Sequence, residues 1–124
     1  MPTSATPSGS APKARYPIAR LDLEEETRAL RASPSPSGHL AKTLVHAPDM
    51  RLVLMTLDRG HSISPHHASS SLTIQTLAGR VIVSLLESSF DLGPGQVLAI
   101  ERGVSHGLIA IDDSAILLTI AASS

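Results

Sequence analysis

Short aliphatic runs, separated by turn residues, fill the chain from Lys42 onward. None of these runs combines the length of a helix with a helical period, and there is no room for crossover helices between parallel strands. Short strands at this spacing are typical of an antiparallel sandwich or barrel. The seven predicted strands are Thr43–His46, Arg51–Leu57, Leu72–Leu77, Val81–Leu86, Gln96–Ile100, His106–Ile111 and Ala115–Ile120.

One short helix is predicted ahead of the strands, over Asp22–Ala32. Its first residue, an aspartate, can cap the N-terminus, and the acidic first turn and basic last turn suit the helix dipole. Leu23, Thr27 and Leu30 form a thin apolar stripe, so we expect this helix to lean on the barrel. The Ser-Pro-Ser-Pro-Ser-Gly segment at residues 33–38 then ends the helix.

Three segments of different composition divide the chain. Residues 1–20 form a leader rich in Pro, Ser and Ala that we expect to be disordered. Residues 21–41 hold the helix and a Ser/Pro linker, and residues 42–122 form the barrel. The leader carries basic residues and no acid, which is compatible with a transit peptide as well as with a simple basic tail.

The composition narrows the classes of function. The chain has no cysteine, which excludes disulfides, thiolate metal sites and a cysteine nucleophile, and fits a reducing compartment. A formal net charge of −1 gives no support for binding to nucleic acid or to an anionic membrane. Tyr16 and Phe90 are the only aromatic residues, so stacking on aromatic platforms is not expected. We therefore expect a cytoplasmic protein with no nucleic-acid or membrane partner.

Six histidines are the main candidates for chemistry. Three of them lie in a loop or at strand ends and are interpreted as surface or hydrogen-bonded residues: His39, His46 and His61. His66 and His67 precede one predicted strand and His106 opens another, and a closed barrel can bring such residues into one lumen. Two or three imidazoles that converge there can hold a divalent transition metal.

Two segments of the chain resemble the two sequence motifs of the cupin family. Residues Gly60–His67, followed by Leu77–Arg80, are similar to the first motif, which contains a glycine, paired histidines, a glutamate and a glycine in a strand turn. Residues Gly93–His106 resemble the second motif, which ends in the third histidine. The resemblance covers Lys42–Ala121 and implies an all-β fold, the double-stranded β-helix or jelly-roll barrel of the cupins, with the short helix before it.

The resemblance also implies a metal site, formed by His106, His66 and His67, but the pattern departs from the family's in two places. The family's paired histidines are one residue apart, whereas His66 and His67 are adjacent and would face opposite sides of a regular strand. Only a bulge or the start of a loop can aim both inward. The glutamate position falls on Leu72, which leaves Gln75, of opposite strand parity, as the substitute donor.

Three functions remain open on this pattern. The first is a metal-dependent cupin that acts on a small organic molecule, with Fe, Mn, Ni, Cu or Zn bound and a dioxygenase- or isomerase-like reaction. His66 and His106 would then be ligands, and His67 an auxiliary ligand or acid–base. The second is a small-ligand-binding or sensor cupin without metal, and the third is a structural domain without a pocket.

Two further expectations concern the surface of the barrel. Exposed edge strands of small barrels tend to pair or to be covered, so we expect a homodimer in which Lys42–His46 or the N-terminal segment crosses between subunits. Glu101 stands where the second motif has a proline, and we interpret it as a solvated carboxylate at a strand end.

Overall fold

The computed structural model describes residues 17–121, which form one helix and nine strands. The predicted leader falls mostly outside the described residues, since only residues 17–20 of it are included. The elements in chain order are α1 (Leu23–Arg31), β1 (His39–Ala47), β2 (Met50–Leu57), β3 (Ser62–His66), β4 (Leu72–Ala78), β5 (Val81–Ser84), β6 (Ser89–Leu92), β7 (Val97–Ile100), β8 (His106–Ala110) and β9 (Ser114–Ala121).

The nine strands form two antiparallel sheets, which confirms the predicted all-β fold. One sheet has five strands in the order β1-β2-β9-β4-β7, and the other has four in the order β3-β8-β5-β6. The core lies between the sheets and contains aliphatic side chains from both, among them Leu57, Ile74, Val83, Leu108 and Ile116. Alternation along the strands directs these side chains inward. No helix within the described range is long and apolar enough to cross a membrane.

Two strands, β3 and β6, were not predicted from the sequence. In β3 only Ile63 is half-buried and Pro65 interrupts the run, and in β6 only Leu92 is buried. Neither segment therefore shows the period-2 pattern of apolar residues by which a strand is recognised. The predicted strand Val81–Leu86 is also shorter than expected, since the Leu85 amide donates to the Ser88 carbonyl and the chain turns.

The helix begins and packs as its sequence indicates. The Asp22 side chain accepts a hydrogen bond from the Glu25 amide at 3.1 Å, which confirms the predicted N-cap. The predicted stripe residues Leu23, Thr27 and Leu30 are half-buried, and the helix lies against β2. An ion pair between Lys42 Nζ and Glu26 Oε1, 2.9 Å long, also joins the helix to β1.

Candidate functional site

The pairing of β3 with β8 brings His66 and His106 together. These residues are directly opposite each other in the two strands, and their ring centroids are 4.7 Å apart with an interplanar angle of 55°. A bulge between Ile63 and His66 shifts the register of β3 at this point. Because a bulge re-aims the side chains that follow it, His66 faces His106 although β3 is short and contains a proline.

A backbone carbonyl fixes each ring of this pair, which we call the cavity pair. His66 Nδ1 lies 3.1 Å from the Ser64 carbonyl oxygen, and His106 Nδ1 lies 3.0 Å from that of Val104. A carbonyl oxygen only accepts hydrogen bonds, so the hydrogen is on Nδ1 in both rings. In the neutral rings Nε2 therefore carries the lone pair, and both Nε2 atoms are left for a ligand.

The two members of the cavity pair differ in their access to water. His106 is only 5% exposed, whereas the His66 residue is exposed. The pair therefore extends from the interior of the barrel to its surface.

The cavity pair lines a partly enclosed space between the two sheets with a volume of about 130 Å³. Its wall is otherwise almost wholly apolar, with contributions from Leu72, Ile74, Leu108, Ile116, Leu118 and Ile120. An apolar cavity of about 150 Å³ accepts a molecule the size of benzene. The space can thus hold the apolar body of a small molecule, and the two imidazoles can bind a polar group on it.

The other two predicted ligands lie outside this cavity. His67 follows β3 in a loop, is exposed and does not line the cavity, since only His66 is aimed at β8 by the bulge. Gln75 lies on the opposite face of β4 from Leu72 and Ile74, because successive strand residues face opposite sides. Leu72, at the position where the resemblance implies a carboxylate, lines the cavity with an aliphatic side chain.

The donor set at the cavity does not fit a catalytic metal. Among residues 17–121 there is no group of three or more His, Cys, Asp or Glu side chains that could hold a metal ion. Catalytic zinc ions are generally held by three protein ligands with one position left open. The cavity pair supplies two imidazoles and no carboxylate, so the expected set of three histidines is not assembled.

A larger and more open groove, of about 690 Å³, crosses one end of the five-stranded sheet. Glu101 and Asp49 lie along it, and none of its lining residues is a histidine. Glu101 is exposed, as the sequence indicates, and does not line the smaller cavity. Because small-molecule sites bury most of their ligand and carry a few convergent polar groups, the smaller cavity, which is less open and holds the two imidazoles, is the better candidate.

A second pair of histidines, whose contact is not predicted from the sequence, lies at the other end of β3. The ring centroids of His39 and His61 are 4.7 Å apart at an interplanar angle of 35°. We call these residues the seam pair, because His39 begins β1 and His61 immediately precedes β3, which are edge strands of different sheets. His39 Nδ1 is buried and has no hydrogen-bond partner within the described residues.

Comparisons with known proteins give matches at the level of structure. No family model matches the sequence, and no curated protein is significantly similar to it. KdgF from a Halomonas species is 24% identical, with a TM-score of 0.67 over 71% of this chain and 83% of that chain. A cupin-2 domain containing protein from Shewanella frigidimarina is 12% identical, with a TM-score of 0.68 over 82% of this chain and 94% of that chain.

A larger protein contains the same architecture. A salicylate 1,2-dioxygenase variant from Pseudoaminobacter salicylatoxidans is 18% identical, with a TM-score of 0.71 over 86% of this chain and 36% of that chain. At these identities the similarity concerns the fold, and the chemistry has to be argued from the residues of the site.

Proposed function

Because the chain has the fold of a small single-domain cupin, we propose that it binds a small organic molecule in the barrel cavity through the cavity pair, without a metal ion. The observation that carries this proposal is the partly enclosed, almost wholly aliphatic cavity lined by two imidazoles whose Nδ1 atoms are already bonded to backbone carbonyls. Two polar groups in an apolar pocket are the arrangement that orients a ligand and selects its head group.

The cavity and the cavity pair together define the class of ligand. The body of the ligand is apolar and of benzene size, as the volume of about 130 Å³ requires. Its head group is a hydroxyl or a carboxylic acid, because a neutral imidazole Nε2 accepts a hydrogen bond from O–H and a protonated one donates to a carboxylate. Small phenols, alcohols and carboxylic acids meet both conditions.

Metal-dependent chemistry is the other function that the resemblance implies. A neighbour named as a salicylate 1,2-dioxygenase has this fold, which keeps a dioxygenase-like reaction among the candidates. The residues favour the metal-free proposal, since Leu72 occupies the position of the expected carboxylate and His67 lies outside the cavity.

Titration with phenol and benzene, monitored by NMR of ¹⁵N-labelled histidine rings, tests the proposal. We expect phenol to shift the Nε2 resonances of His66 and His106 in a saturable way. Benzene, which has the same body without the hydroxyl, should bind more weakly by about 5- to 12-fold, because the head group contributes a hydrogen bond of about 1–1.5 kcal/mol.

Variants of the two histidine pairs provide the matched control. His106→Gln and His66→Gln should each weaken phenol binding, whereas His61→Gln, in the seam pair, should leave it unchanged. The proposal fails if phenol, cyclohexanol and benzoate all leave the cavity-pair resonances unshifted. Retention of a stoichiometric transition metal by the purified protein, lost in His106→Gln, would instead support the metal-dependent function.

A further inference from the structure

We propose that a polar pocket between the end of α1 and the five-stranded sheet binds a dibasic α-amino acid such as L-lysine. We call it the linker pocket, because Ser33 and Ser35 of the Ser/Pro linker line it. Its volume is about 440 Å³, and its wall is mostly polar, in contrast to the cavity beside the cavity pair. The two spaces share no lining residue, so this site does not depend on the proposed function.

Thr56 is the buried polar residue that indicates a ligand in the linker pocket. Met55 lines the apolar cavity and Leu57 belongs to the core, so Thr56 between them faces the outer side of the sheet, where the linker pocket lies. The residue is only 7% exposed, and its hydroxyl makes no hydrogen bond within residues 17–121. Because a buried hydroxyl without a partner is costly, we expect a ligand atom to bond it.

Two carboxylates of the linker pocket are placed opposite each other by the pairing of β2 with β9. The last pair at this end of the antiparallel strands is Leu57 and Ser114, so the next residues, Asp58 and Asp113, occupy opposite positions. Like charges at opposite positions repel each other. Asp58 accepts a hydrogen bond from the Ser35 hydroxyl at 3.5 Å, and Asp113 accepts one from a backbone amide at 2.8 Å, but neither forms an ion pair within the described chain. A bound ammonium group would offset their repulsion.

Arg31 supplies a positive charge to the same pocket. It is the last residue of α1, and it forms no ion pair with a described residue, whereas Arg28 on the same helix pairs with Glu25. An unpaired guanidinium can bind a carboxylate through two parallel hydrogen bonds. The linker pocket therefore offers one positive and two negative formal charges, together with the hydroxyl of Thr56.

L-Lysine matches these charges with the opposite signs, since it has one carboxylate and two ammonium groups. Its carboxylate pairs with Arg31, and its ammonium groups pair with Asp58 and Asp113. The Thr56 hydroxyl can bond to either kind of group, because a hydroxyl both donates and accepts. The C-terminus of α1, which carries a partial negative charge, further favours a cationic ligand.

Titration with L-lysine at constant ionic strength, followed by NMR of the backbone amides, tests the proposal. We expect saturable shifts at Thr56 and at Arg59, whose amide donates to Asp113. Cadaverine lacks the carboxylate of lysine, and 6-aminohexanoate lacks one of its ammonium groups. Each should bind about fivefold more weakly than lysine, which is the upper end of what an exposed ion pair contributes.

Substitutions in the linker pocket have matched controls nearby. Arg31→Gln should weaken lysine binding about fivefold and leave cadaverine binding unchanged, whereas Arg28→Gln should change neither. Asp113→Asn should weaken the binding of both ligands, and Asp112→Asn, outside the pocket, should not. Thr56→Val keeps the shape of the side chain and should weaken lysine binding without lowering the free energy of unfolding, because the hydroxyl has no partner to lose.

Three results would overturn the proposal: shifts that rise linearly with lysine concentration, the same shifts with Mg²⁺, or an equal loss of cadaverine and lysine binding in Arg31→Gln. A loss of stability in Thr56→Val would contradict the role assigned to its hydroxyl. Phenol is titrated into the same samples, so that the two sites can fail separately. If phenol binds at the cavity pair and lysine does not bind, the linker pocket alone is rejected.

Discussion

The cavity pair and the seam pair have the same distance between ring centroids, but they differ in hydrogen bonding and in surroundings. Both have ring centroids 4.7 Å apart, and they lie at the two ends of β3. In the cavity pair both Nδ1 atoms are bonded to carbonyls and both rings line a cavity. In the seam pair His39 Nδ1 is buried without a partner in the described chain, and neither ring lines that cavity.

The seam pair holds together segments that belong to different sheets. The Asp58 amide donates to the Gly38 carbonyl at 2.8 Å, and the His61 amide donates to the Asp58 carbonyl at 2.9 Å. These two backbone hydrogen bonds hold the segments that carry the two rings close together. The His61 ring also fills the space beside Gly38, where an added Cβ would lie 2.6 Å from its Nδ1. These contacts give the seam pair a role in packing.

The comparison shows that two imidazoles close together do not make a site by themselves. A ligand needs free polar atoms of defined hydrogen-bonding character and a space beside them. Only the cavity pair offers both, because the carbonyls of Ser64 and Val104 orient its rings and the two sheets leave a cavity next to them.

Adding a carboxylate to the cavity pair is the change with the largest expected effect. Leu72→Glu places a third donor in the cavity wall beside His66 and His106, which completes the number of ligands that a catalytic zinc usually has. At a zinc concentration 100 times Kd, the bound ion should stabilise the variant by about 2.7 kcal/mol. Thermal unfolding with and without zinc measures this gain.

Gln75→Glu is the matched control, because it introduces the same carboxylate on the opposite face of β4. Without metal, Leu72→Glu should unfold more easily than Gln75→Glu, since it places a charge in an aliphatic cavity. A zinc-dependent stabilisation of the unaltered protein as large as that of Leu72→Glu would show that the cavity pair already holds a metal, and would contradict the proposed function.

A substitution at Gly38 tests the packing of the seam pair, because an added Cβ there would clash with the His61 ring. Gly38 and Gly60 both have positive φ angles, of 93° and 85°, but a Cβ on Gly60 meets nothing within 4 Å. Gly60→Ala should therefore cost only the backbone strain, about 1–2 kcal/mol. Gly38→Ala adds a clash with His61, so its loss of free energy of unfolding should be larger by about 1–3 kcal/mol, as overpacked sites usually show.

Urea unfolding of the two glycine variants, alone and combined with His61→Ala, separates the cost of backbone strain from the cost of the clash with His61. In the His61→Ala background the clash is gone, so the two substitutions should cost the same. If Gly38→Ala remains more costly there, the His61 ring is not the obstacle and the packing role of the seam pair is not supported. Phenol binding should be retained in Gly38→Ala, because the cavity pair lies at the other end of β3.

The same comparison shows which features could be predicted from the sequence. Strand β4 could be recognised because its burial alternates with period 2, and β9 because it is a continuous apolar run of strand length. β3 was missed because its only half-buried residue is Ile63. The convergence of His66 with His106 was expected from the motifs, but the bulge that turns His66 alone toward β8 depends on the register of the strands.

The contact between the two rings of the seam pair could not be predicted from the sequence. His39 and His61 lie on edge strands of different sheets, and no hairpin or turn pattern specifies the register between such strands. The place of Leu72 in the cavity wall, by contrast, follows from strand parity, since Leu72 and Ile74 share a face and Gln75 has the other. The face on which a strand residue lies can thus be predicted from the sequence, whereas a contact between edge strands of different sheets cannot.

The smallest expected effect comes from replacing one ring of each pair with leucine. His39→Leu removes a buried nitrogen that has no partner in the described chain, and such a group costs about 1–3 kcal/mol, so the variant should be as stable as the parent or more stable by about 1 kcal/mol. His106→Leu leaves the Val104 carbonyl without its donor and should lower the free energy of unfolding by a similar amount. Urea unfolding with equal m-values compares the two directly. A marked loss of stability in His39→Leu would mean that its Nδ1 binds a water molecule, and the two pairs would then differ only in the cavity beside them.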